Sequence, residues 1–73
     1  DGGSTFIARE SNGSYKCSIR DNNRNIEAVL SKTIETIGGD GGGHEHACGA
    51  IVPNDIFSEF VEEFKNNLKQ KDS

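Results

Sequence analysis

Five of the six residues from Gly38 to Gly43 are glycine, interrupted only by Asp40, and His44 follows at once. Consecutive glycines leave backbone N–H groups unobstructed by any Cβ. A bend lined with such amides makes a concavity suited to an anion, a phosphate above all. His44 beside it can donate to a phosphate oxygen or, when neutral, ligate a metal. No Lys-Ser or Lys-Thr pair follows the glycines, and their spacing does not fit G-x-G-x-x-G, so the segment is neither a P-loop nor a dinucleotide fingerprint. On glycine content alone, a flexible linker or an elaborate helix C-cap explains the segment equally well.

Three further groups could carry chemistry. His44, His46 and Cys48 form an H-x-H-x-C cluster of good zinc ligands. Residues two apart converge readily only in an extended strand, a fourth ligand would have to come from Cys17, Glu45 or solvent, and no second tight ligand pair exists. No metal ligand is therefore assigned, and a zinc-stabilised interaction module stands as the alternative from another functional class. Arg9, Lys16 and Arg20 fall on one face of a predicted sheet, where they could track a nucleic-acid backbone or simply face water. Ser4, Ser11, Ser14, Ser18 and Cys17 have no base and orienter arrayed around them. No catalytic residue is expected.

The elements that must position these groups can be read from periodicity. Residues 5–10 and 15–20 are β-prone runs separated by Ser11-Asn12-Gly13-Ser14, and Asn-Gly is the strongest short hairpin signal. A two-residue turn sets Ser11 opposite Ser14, Glu10 opposite Tyr15, Ala8 opposite Cys17 and Phe6 opposite Ile19. One face then carries Phe6, Ala8, Tyr15, Cys17 and Ile19; the other carries Ile7, Arg9, Lys16, Ser18 and Arg20. From Asn25 the period changes, with Ile26, Val29, Leu30, Thr33, Ile34 and Ile37 on one helical face. Asn23 or Asn25 can cap its start, and Gly38-Gly39 ends it. Gly49 to Val52 reads as a third strand closed by Pro53. Asn54 or Asp55 then caps a second helix with the stripe Ile56, Phe57, Phe60, Val61, Phe64 and Leu68, acidic early and basic late as the helix dipole favours. Tyr15 and the helix phenylalanines fall on buried faces and are expected in the core rather than stacking on bases.

The 73 residues carry a net charge of −4, so no whole-chain basic field holds nucleic acid and any phosphate contact must be local. A chain this short buries a thin core, and support from a neighbouring domain is expected. Cys17 and Cys48 are too few for a secreted disulfide scaffold and sit in apolar patterns, which fits buried thiols in a reducing cytosol. No long apolar run and no leader pattern is seen, so neither membrane nor secretory pathway is expected. Residues 1–4 (Asp-Gly-Gly-Ser) have a linker's composition and are read as the boundary of an excised piece; 5–70 form the domain, and 71–73 a disordered tail.

Gly41-Gly42-Gly43-His44, two variable residues, then Ala47-Cys48-Gly49-Ala50 resembles the G-G-G-H-x-x-A-A-G signature of the DHH-associated domain, the C-terminal module of DHH phosphoesterases. Lys16-Cys17-Ser18-Ile19-Arg20 resembles the family's strand ending in Ser-x-Arg. The segment from Gly38 to Pro53 is similar to the G-G-E-G-G-G-H-D-x-A-A-G-A form of the archaeal RecJ-like branch. Cys48 in place of the second Ala is a small-for-small exchange that packing tolerates.

The resemblance implies a division of labour. A separate domain bearing Asp-His-His motifs binds two divalent metals, manganese or magnesium, and activates water against a phosphodiester. No such motif lies in this chain, so no hydrolysis is expected from it alone. The module closes over that cleft, and Gly41, Gly42, Gly43, His44 and Arg20 are the implied substrate contacts. Single-stranded DNA is the expected substrate. Oligoribonucleotides or cyclic dinucleotides are the alternative, and a related module in alanyl-tRNA synthetases allows an RNA-binding role. The expected fold is a small two-layer α+β domain, β-β-α-β-α, with a three-stranded mixed sheet under two helices and a right-handed crossover if the second and third strands are parallel.

Overall fold

The computed structural model describes residues 4–72; residues 1–3 of the expected linker and Ser73 of the expected tail lie outside it. Strand β1 (Ser4–Ser11) and strand β2 (Ser14–Asp21) form the hairpin in the expected register, from Phe6 opposite Ile19 to Ser11 opposite Ser14. Asn12 and Gly13 both take positive φ, 53° and 83°, as a tight turn matched to strand twist requires. Helix α1 (Ile26–Ile37) follows, its N-cap Asn25 accepting the Ala28 N–H at 3.1 Å and the Gly38 N–H closing it on the Ile34 carbonyl at 2.9 Å.

The next element overturns one expectation. Asp40–His44 is not a loop but strand β3, joined by the two-residue turn Glu45-His46 to strand β4 (Ala47–Pro53). The sheet has four strands in the order β1-β2-β4-β3, and every neighbouring pair is antiparallel, in place of the three-stranded mixed sheet. The α1 crossover does return a strand, β3, in the direction of β2, but β4 inserts between them. Glycine is a poor strand former alone; here pairing with β4 supplies what propensity does not. The α+β class stands.

Helix α2 (Phe57–Asp72) completes the chain. Both helices cover one face of the sheet, where Cys17, Ile19, Cys48, Ala50 and Val52 meet Ile26, Val29, Leu30, Phe60 and Phe64. Phe64 reaches the edge strand, edge-on to Phe6 at 5.6 Å between ring centroids, and Tyr15 stacks on Phe57 at 3.9 Å. Between the helices, buried Asn67 donates to Thr33 Oγ1 at 3.0 Å, which in turn donates to the Val29 carbonyl at 2.8 Å. A fully satisfied pair of this kind fixes how α2 lies on α1. Asn67 falls outside the apolar stripe, so its burial was not foreseen.

Candidate functional site

The opposite face of the sheet carries no helix. Residues alternate across a strand, so the register alone fixes which side chains meet there. Ser18 of β2 lies opposite Gly49 of β4, which lies opposite Gly42 of β3. This row has almost no side chain, and it floors a shallow hollow of about 360 Å³ that Arg20 and Ala47 also line. One row further along stand Arg20, Ala47 and His44. Two strand spacings, roughly 10 Å, separate the Arg20 and His44 backbones across β4. The structure thus brings Arg20, Gly42 and His44 to one exposed surface.

Gly41 and Gly43 serve another purpose. A Cβ at Gly43, where φ is 149°, would lie 2.6 Å from both the Cys48 Cα and the Ala47 carbonyl oxygen; one at Gly41 would lie 2.5 Å from the Gly49 carbonyl oxygen. Both residues press against the backbone of β4, which explains why the facing run Ala47 to Ala50 is made of small residues. At Gly42 an added Cβ would meet nothing within 4 Å.

A strand also changes how the amides point. The two-residue turn makes His44 and Ala47 a hydrogen-bonded pair, and alternation makes Gly42 and Gly49 the next. The Gly42 and His44 amides therefore face β4, and those of Gly41 and Gly43 face off the sheet edge. The concavity of successive amides expected from the glycine run does not form; an open floor with a cationic rim takes its place.

The turn beside His44 is pinned. His46 is half-exposed, but its ring Nδ1 lies 2.8 Å from the Asp21 carbonyl and 3.0 Å from the Arg24 carbonyl. Both are acceptors, so Nδ1 carries the proton and donates. The Asp21 N–H returns a bond to the His46 carbonyl at 3.1 Å, and the Ile26 N–H one to Glu45 at 2.9 Å. These bonds hold the β3–β4 turn against the start of α1, which fixes where His44 stands. With His44 on the open face and Cys48 buried against the helices, the H-x-H-x-C triplet does not converge. Among the described residues there is no cluster of three such ligands placed to hold a metal ion. Burial pushes the Cys17 and Cys48 thiols up, with Glu27 adding to the effect at Cys48. Both cysteines are core.

Asp21, at the end of the site strand, was also not foreseen. It is 2% exposed, accepts from the Ser4 hydroxyl and from the Asn23 and Arg24 N–H groups at 2.8 and 3.0 Å, and has the Arg24 guanidinium 3.8 Å away. These bonds, that of Ser4 foremost, hold its carboxyl below the usual range. A lowered folded-state pKa means stability that is present above the unfolded value near 3.9 and is lost as pH falls through the folded value. Asp21→Ala should cost about 2 kcal/mol at neutral pH. Its stability should then fall less than the wild type's between neutral pH and strong acid, which chemical denaturation across that range would check.

The DHHA1 domain model matches residues 3–71. The chain belongs to the DHHA1 family. No curated protein matches it. The DHHA1 assignment makes this a DHH-associated domain of DHH-superfamily proteins, and the implied contacts Gly41, Gly42, Gly43, His44 and Arg20 fall on β2 and β3 of its sheet. Among the described residues no helix of the DHHA1 domain is long and apolar enough to cross a membrane.

Proposed function

We propose that this DHHA1 domain is the substrate clamp of a RecJ-like, single-strand-specific exonuclease, in which a separate Asp-His-His domain holds the metals and cuts. The clamp hydrolyses nothing by itself. Its open face lies across the cytoplasmic enzyme's cleft, so that substrate phosphates sit between the two domains.

The observation that carries this reading is the row Ser18, Gly49, Gly42 with Arg20 and His44 beside it. A floor without side chains lets a phosphate and its sugar approach the backbone closely, while a guanidinium and an imidazole supply donors from the rim. Ile7 and Ile51 on the same face are 61% and 50% exposed, an apolar presence suited to a surface that is covered in use.

Amide chemical shifts recorded while single-stranded DNA is added test the reading. Perturbations should appear at Arg20, Gly42, His44 and Gly49, and should shrink as salt rises. Shifts confined to the helices, or none at any salt, would overturn it.

A further inference from the structure

We infer that Arg9 and Lys16 form a second phosphate site on the open face, extending the hollow at Gly42 into a track for a single-stranded oligonucleotide longer than a dinucleotide. The inference rests on the phosphate-clamp reading and adds the length of substrate the clamp takes.

Arg9 and Lys16 are direct cross-strand partners, and both project onto the open face. Like charges placed directly opposite each other in a sheet repel and destabilise it. A carboxylate beside them would relieve this, yet among the described residues neither makes an ion pair. Asp40 is the sole carboxylate at the open-face strand positions, and Ile51 of β4 stands between it and Lys16 in the register. The face therefore carries Arg9, Lys16 and Arg20 against Asp40, three positive charges less one negative, a net of +2 in a chain whose total is −4. Such a local excess is an unneutralised site for an anion.

The placement fits a polymer better than an isolated phosphate. A hollow of about 330 Å³ lies at the pair, lined by Ile7, Arg9, Lys16 and Ser18, and Ser18 also lines the hollow at Arg20 and Gly42. The two hollows thus adjoin at Ser18. Lys16 and Arg20 are four residues apart on one strand, roughly 13 Å, farther than adjacent phosphates of one chain are from each other. Filling both ends takes a continuous backbone of several phosphates, with Ile7 available to the sugars or bases between them.

The test compares the chain with its Arg9→Gln/Lys16→Gln variant, using a 5′-phosphorylated thymidine dinucleotide and a thymidine hexanucleotide as probes. The wild type should bind the hexanucleotide more tightly. In the variant that affinity should fall about tenfold and its log–log salt slope should flatten by about 1.4, the release expected for two phosphates of a single strand. Dinucleotide affinity should stay within about twofold, and the melting temperature should hold or rise because a repulsive pair has gone. Should the double variant misfold, Lys16→Gln alone should flatten the slope by about 0.7. An unchanged hexanucleotide affinity and slope in a variant, with Arg20→Gln still weakening both probes, would overturn the track and leave the clamp standing. Equal wild-type affinity for the two probes would do the same. If neither probe binds the wild type, the clamp reading itself fails and takes the track with it.

Discussion

Gly43→Ala should destabilise the chain by about 3–5 kcal/mol, the sum of forcing a Cβ into a packed backbone and holding an alanine where L-residues rarely go. The added carbon would sit 2.6 Å from the Cys48 Cα and from the Ala47 carbonyl oxygen, and neither can yield without parting β3 from β4. A domain of this size holds roughly 4–11 kcal/mol in all, so the variant should be largely unfolded on mild warming. Gly42→Ala, one residue away with open space around its Cβ, should lie within about 1 kcal/mol of wild type. Denaturant midpoints of the two variants measure the difference, and equal midpoints would show that β3 does not press on β4 as described.

The contrast between these neighbours explains why the glycine run misleads when it is met as a sequence. Repeated glycine carries no period, so nothing in residues 40–44 announces a strand; the signal lay instead in Ala47 to Ala50, whose small side chains make sense only if another backbone lies against them. The first hairpin was legible because its turn residues and its alternation agree, and the register from Phe6 opposite Ile19 to Ser11 opposite Ser14 follows from those alone. Helix α1 was legible for a similar reason: its stripe and its Asn25 cap mark the same boundary.

Sheet order was not legible, because β4 inserts between β2 and β3 through a pairing that no local feature encodes. The roles of Asp21 and His46 were missed since the Ser4 hydroxyl that meets Asp21, and the Asp21 and Arg24 carbonyls that meet His46, are brought close only by the fold. For the candidate site, the residue types of the glycine run, His44 and Arg20 could be named in advance. Their arrangement could not: the expected ring of amides gives way to a flat floor, and Ser18 and Gly49 enter the site through register alone.

Gly42→Val is the change that separates binding from folding. Residue 42 lies on the exposed face of an edge strand, with nothing within 4 Å of the position a Cβ would take, and a β-branched residue is well suited to such a strand. The same isopropyl group would stand over the hollow between Arg20 and His44 and hold a phosphate off the floor. Loss of those contacts should lower affinity for single-stranded DNA about 10- to 100-fold, or roughly 1.4–2.7 kcal/mol. The measurement is a DNA titration of wild type and Gly42→Val at one salt concentration, with the amide spectrum of each recorded beforehand. Binding that collapses in a variant whose spectrum remains that of a folded domain is the predicted result; a folded Gly42→Val chain that binds as tightly as wild type would contradict the account.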